Sequence, residues 1–218
     1  MMLLVPVTRF KENQMSDQKT FSEKFLEDSL RVIESMSTSD IESVVRTIRK
    51  TRDVGGRLFL AGSGGGAGHA SHATCDFRKL CGLEAYCITD NVSELTARIN
   101  DEGWDTSYSN WLNASRISSN DCLLVFSVGG GSIEPPVSMN LVKAVELARS
   151  VQASVVGIVG RTGGALRQLA DASVLVPTID PSFVTPQAEG FQALIWHLIV
   201  SHPDLAASVA KWESIDKK

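Results

Sequence analysis

Between residues 13 and 52, apolar side chains return at helical spacing: Phe21, Phe25, Leu26, Leu30, Val32 and Ile33, then Ile41, Val44, Val45 and Ile48. Ser37, Thr38, Ser39 and Asp40 lie at the break and supply an N-cap, so the pattern predicts two amphipathic helices. After Arg52 the pattern changes. Short apolar runs at 57–61, 85–88, 122–126, 155–159 and 173–176 read as strands. Helical segments fall between and after them, at 67–80, 92–99, 106–115, 135–150, 164–169 and about 186–201, the last with Phe191, Leu194, Ile195, Leu198 and Ile199 as its stripe. Strands alternating with helices predict an α/β protein: a three-layer α/β/α sandwich around a five-stranded parallel sheet, preceded by a helix pair that packs between subunits.

With 218 residues the chain reads as one domain, 1–218, since it is long enough for a full α/β core and short for two. Within it, 1–15 is expected to be a flexible N-terminus, 16–52 the oligomerisation helices and 55–201 the core. A net charge of -4 and the lack of any basic run exclude a nucleic-acid surface. Cys75, Cys81, Cys87 and Cys122 form no CxxC pair and read as reduced thiols of a cytoplasmic protein. The apolar start, Met1 to Val7, is too short for a signal segment, and no stretch is long enough to span a bilayer, so no membrane partner is expected.

The candidate chemistry begins where the first strand breaks into Gly62-Ser63-Gly64-Gly65-Gly66-Ala67. A strand, a glycine turn and a helix start bring open backbone N–H groups and a helix dipole toward an anion. Such a turn is equally compatible with no ligand. The Walker pattern fails for want of Lys-Ser/Thr after the glycines. The dinucleotide fingerprint fits Gly62, Gly64 and Ala67 but lacks its acid at the right distance, Asp90 coming late. One turn into the helix, His72 and Asp76 share a face at i and i+4, an acid/base or metal pair. A second glycine loop, Ser127-Val128-Gly129-Gly130-Gly131-Ser132, closes the third strand, with a helix expected from Pro135-Pro136. Loops at the carboxyl ends of parallel strands converge on one crevice, and two such loops point to a phosphate pocket. On the last helix Glu189 and His197 stand just over two turns apart; alone they read as a solvated acid and a core-edge histidine. His202 reads as a helix-end cap, and His69 as a second group near the anion.

Taken together these residues resemble the sugar isomerase (SIS) domain family, in its sedoheptulose 7-phosphate isomerase (phosphoheptose isomerase) branch. The likeness covers nearly the whole chain. It rests on Gly62 to Ala67 leading to His72-x-x-x-Asp76, on Thr89-Asp90, on Asn100-Asp101-Glu102-Gly103-Trp104, on Ser127 to Ser132 and on Glu189 with His197. The resemblance implies an SIS fold and a homotetramer. It implies ketose-to-aldose isomerisation through an enediol(ate), D-sedoheptulose 7-phosphate giving D-glycero-D-manno-heptose 7-phosphate. It implies one Zn²⁺ per subunit held by His72, Asp76, Glu189 and His197, with Asp76 and His197 as the acid/base pair. The sugar phosphate would be bound by Ser63, Gly64, Gly65, Gly66, Asp90, Asn100, Asp101, Ser127, Gly129, Gly130 and Ser132. The chain also departs from the family pattern. Val128, Gly129 and Gly66 stand where hydroxyl residues are the rule, Asp76 where Glu is, and Glu189 where Gln is. Fewer hydroxyls call for a compensating group, His69 or Arg78 being the candidates. They also keep open a second reading, a non-catalytic SIS scaffold that binds a protein partner.

Overall fold

The computed structural model describes residues 19–211; the N-terminal segment expected at 1–15 lies outside the described residues. Helices α1 (Phe21–Glu34) and α2 (Thr38–Asp53) come first. Thr20 and Glu23 close a capping box on α1, and the Ser37 hydroxyl accepts from the Asp40 amide to start α2, as the polar break predicts. Then follow β1 (Leu58–Gly62), α3 (Gly65–Cys81), β2 (Ala85–Cys87), α4 (Val92–Glu102), α5 (Trp104–Ala114), β3 (Cys122–Ser127), α6 (Met139–Ser150), β4 (Ser154–Val159), α7 (Gly164–Leu169), β5 (Ala172–Leu175) and, after a 3-10 turn, α8 (Val184–Ser201). The five strands form one parallel sheet in the order β2-β1-β3-β4-β5.

Successive strand residues point to opposite faces, which is why the central strands β1 and β3 read as near-continuous apolar runs. Leu58, Leu60, Leu124 and Phe126 face a core closed by α2, α3 and α8. Phe59, Ala61, Leu123 and Val125 face a second core closed by α5, α6 and α7. The chain leaves β1 toward β2 on one side and returns to β3 on the other. The carboxyl ends of β1 and β3 are thus the switch point of the sheet, where a crevice opens. Gly62 and Phe126 are paired at that edge.

Two expected boundaries move. Helix α3 begins at Gly65 rather than at 67, because both glycines are packed as helix: a Cβ on Gly62 would lie 2.2 Å from the Gly66 carbonyl carbon. The helix expected from Pro135 begins only at Met139. Pro136 disfavours helical backbone at Pro135. Residues 132–137 instead make a small loop closed by Ser132 N–H to Val137 O (3.0 Å) and Val137 N–H to Ser132 O (2.9 Å).

The amino ends of β1 and β3 are pinned by Asp121, which is 2% exposed. Its Oδ1 accepts from the Arg57 backbone N–H at 2.8 Å, and its Oδ2 takes Arg57 Nη2 at 2.8 Å and the Ser118 N–H at 2.8 Å. Burial alone would raise this carboxyl's pKa, but the Arg57 and Ser118 hydrogen bonds outweigh it and hold the pKa below its ordinary value. Asp121→Ala is expected to cost about 2–4 kcal/mol, because it strands buried donors and a half-buried guanidinium. For a depressed carboxyl, the stabilisation is complete above the unfolded value and fades as pH falls through the folded one. The gap between wild type and D121A in urea melts should therefore be full at neutral pH and shrink below about pH 4.

Candidate active site

The crevice at the switch point encloses about 740 Å³. Ser63 from the first glycine loop lines it, with Ser127, Val128, Gly129, Gly131 and Ser132 from the second. Ser63 Oγ accepts from Asn140 Nδ2 at 3.0 Å, so its own proton is free to donate into the crevice. Asn140 is fully buried, and Tyr108 fastens the same strand end through its hydroxyl to Gly62 O at 2.8 Å. Ser127 Oγ accepts from the Gly130 N–H at 3.0 Å and likewise keeps its proton. The Gly129 and Gly131 N–H groups donate to nothing among the described residues. Ser132 differs from expectation, since its hydroxyl donates to Glu134 O at 3.1 Å.

Three lining residues that sequence reading passed over are Ser138, Arg161 and Thr162. Ser138 precedes α6 with φ +53°, and the helical run Met139-Asn140-Leu141-Val142 behind it was the available signal. Arg161 and Thr162 open a third glycine turn, Gly160 to Gly164, at the carboxyl end of β4.

A second centre lies on the paired helices α3 and α8. Gly65 meets Glu189 and His72 meets His197, so the two helices run in the same direction. His72, Asp76 and His197 come together, each offering a nitrogen or oxygen within 4.8 Å of the others. His72 Nε2 is 3.9 Å from Asp76 Oδ2. The His197 ring stacks on the Trp196 indole and points Nδ1 at Ala193 O, 2.7 Å away. A carbonyl can only accept, so Nδ1 carries a proton, and in the neutral ring Nε2 then presents a lone pair. Two imidazoles and a carboxylate with one ring already oriented by a backbone carbonyl fit a divalent metal such as zinc.

Glu189 is not in this group. Its carboxylate lies over the start of α3, where a Cβ on Gly65 would come 2.6 Å from Cδ and Oε1. Eight residues separate Glu189 from His197, about 12 Å along a helix. The positive dipole end of α3 gives the carboxylate a nearer partner. That position was expected to hold phosphate, and in this structure it already faces an anion. His69 lies between the two centres: burial lowers its imidazole pKa, while the Glu189 carboxylate and main chain work the other way.

The remaining expected groups lie elsewhere. Asp90 is exposed beside an open groove lined by Ser71, Cys75, Arg78 and Lys79. Arg78 donates to Ala85 O at 3.0 Å and lies over the Tyr86 ring, so it does not reach the crevice. Asn100 and Asp101 are hydrogen-bonded to each other at 2.7 Å on the exposed end of α4, beyond the sheet edge. The cysteines are free, burial raising Cys81 and Cys87 to about 11. Among the described residues no helix is long and apolar enough to cross a membrane.

A family model described as the SIS domain matches residues 23–160. The chain is similar to the lincomycin biosynthesis protein LmbN of Streptomyces lincolnensis, 33% identical over 81% of this chain and 66% of the relative. The chain thus spans just under two thirds of that relative's length. It is similar to the phosphoheptose isomerase of Aliarcobacter butzleri, 29% identical over 78% of this chain and 86% of the other. Its fold is that of the phosphoheptose isomerase from Neisseria gonorrhoeae, with a TM-score of 0.70, 24% identity, and coverage of 82% and 94% of the two chains.

Proposed function

The chain belongs to the SIS domain family, in its phosphoheptose isomerase branch, and from that premise we propose that it isomerises a ketose phosphate to the aldose phosphate. The observation that carries the reading is the convergence of His72, Asp76 and His197 from two separate helices. His72 and Asp76 meet through their spacing on α3, α8 brings His197 to them, and these three suit proton transfer.

In this reading the phosphate lies in the crevice against Ser63, Ser127 and the Gly129 and Gly131 amides. Asp76 removes the proton alpha to the carbonyl, an enediol(ate) forms, and the proton returns to the neighbouring carbon. His197 Nε2, which can serve the ion or a proton but not both at once, exchanges the hydroxyl and carbonyl protons while it is off the metal. His72, Asp76 and His197 would hold a zinc ion, with Glu189 as a further ligand if its carboxylate leaves Gly65. A divalent ion supplies positive charge beside the oxygens on which negative charge develops.

The substrate we favour is D-sedoheptulose 7-phosphate, giving D-glycero-D-manno-heptose 7-phosphate. The test is incubation of zinc-supplemented protein with that ketose, following the aldose phosphate by NMR. Turnover of another ketose phosphate in its place would move the substrate but keep the reaction class. Absence of turnover with every ketose phosphate tried, at full metal loading, would return the chain to the scaffold reading.

A homotetramer completes the proposal. Phe21, Leu26, Leu30 and Ile33 on α1 are each more than half exposed, and an apolar edge of α8 at Leu194 is half exposed. A contiguous apolar face on two helices outside the sheet is what a subunit interface requires. His72 and His197 are also exposed, which leaves room for a neighbouring subunit to close the site. Sedimentation equilibrium at micromolar concentration is expected to give four chains; a monomer would sink the assembly.

A further inference from the structure

We propose that Arg161 is the cation that binds the substrate phosphate, taking over from the hydroxyls missing from the second glycine loop. The proposal rests on the sugar-phosphate reading above and names the residue that makes it workable. Among the described residues lining the crevice Arg161 is the only basic one, and Glu134, on the exposed 132–137 loop, the only acidic one. The Arg161 guanidinium makes no ion pair or hydrogen bond among the described residues.

Three features place it for this task. A Cβ built on Gly129 would lie 3.7 Å from Arg161 Cδ, so the arginine stem runs along the loop where Gly129 has no side chain. A side chain at 129 would touch that stem at ordinary van der Waals distance, so the guanidinium is carried on a stem that packs against the second glycine loop itself. Second, the positive end of α3 already faces the Glu189 carboxylate, so a phosphate in the crevice must find its countercharge elsewhere. Third, Arg161 holds φ +51°. Glycine adopts that backbone freely and arginine does not, so the side chain at this turn can be removed without backbone cost. A guanidinium offers several donors in a planar fork matched to phosphate oxygens, with the Gly129 and Gly131 amides completing the shell.

The test compares wild type with Arg161→Gly, Arg161→Gln and Arg161→Lys. Glycine relieves the backbone at φ +51°, so R161G is expected to lose no thermal stability, which separates binding from folding. Titration calorimetry with inorganic phosphate is expected to show affinity reduced about ten- to a hundredfold in R161G and R161Q, with R161K between them and wild type. With sedoheptulose 7-phosphate, KM should rise by a similar factor while kcat changes little. Wild-type affinity in R161G and R161Q would overturn the assignment while leaving the isomerase reading intact. Wild-type protein that binds neither inorganic phosphate nor the ketose phosphate would overturn both.

Discussion

Alanine at His197 is expected to lower turnover of the ketose phosphate by about a thousandfold, within the range that positioned acid–base groups contribute. The ring has one nitrogen committed: Nδ1 donates to Ala193 O at 2.7 Å, fixing the tautomer and aiming Nε2 toward His72 and Asp76. Truncation removes the proton carrier and one of the three clustered donors together. Bound zinc, measured by elemental analysis after dialysis, should fall with the activity. His197 is exposed, so thermal stability should change little. Asp76→Asn keeps the shape of the carboxylate but not its basicity, and is expected to lose turnover to a similar degree while retaining more of the metal. A His197→Ala protein with metal content unchanged and turnover within tenfold of wild type would remove this cluster from the chemistry.

Much of the fold was legible because the sheet is buried on both faces. Runs such as Leu123 to Phe126 must be continuously apolar when alternate side chains enter two different cores. Helix starts were legible where a side chain makes the cap, as Ser37 does. They were lost where the cap is backbone: Gly64 and Ser138 precede their helices in unusual backbone conformations and make no side-chain cap bond. The Pro135-Pro136 pair starts no helix, because proline suits a helix start only when the next residue leaves it free to be helical.

The site was legible where spacing within one helix settles the geometry, and obscure where it depends on neighbouring loops. His72 and Asp76 share a face by their interval alone, and His197 joins them because α3 and α8 run side by side. Spacing could not show that Glu189 would be drawn to the start of α3 instead. Nor could it show that Arg161 lines the crevice, with its stem lying against Gly129 on a different strand end. Asp90, Asn100 and Asp101 carry the family pattern but stand away from the crevice within one chain. Their exposure agrees with the proposal that a neighbouring subunit completes the site.

Gly130→Ala is expected to disrupt the crevice and lower stability by about 2–4 kcal/mol, the cost of overpacking added to that of a left-handed alanine. Gly130 has φ +73°, and a Cβ there would fall 1.8 Å from Gly163 O and 2.3 Å from its carbonyl carbon. No rotamer relieves that contact, because both partners are backbone. The interlock is mutual: Ala165 and Leu166 donate their N–H groups to Gly131 O and Gly130 O at 3.0 and 2.9 Å, which caps α7 on the second glycine loop. Moving Gly130 therefore moves the turn that carries Arg161, and phosphate binding should fail along with stability. For a chain of this size the melting temperature is expected to drop by roughly 5–15 °C. Gly68→Ala is the control. Gly68 lies inside α3 with open space where its Cβ would be, so the same substitution should stabilise by about 0.5–1 kcal/mol. Opposite signs from one chemical change would show that the crevice glycines are required by backbone contact. A melting temperature for G130A within a degree of wild type would mean that the two turns are not locked together as the structure has them.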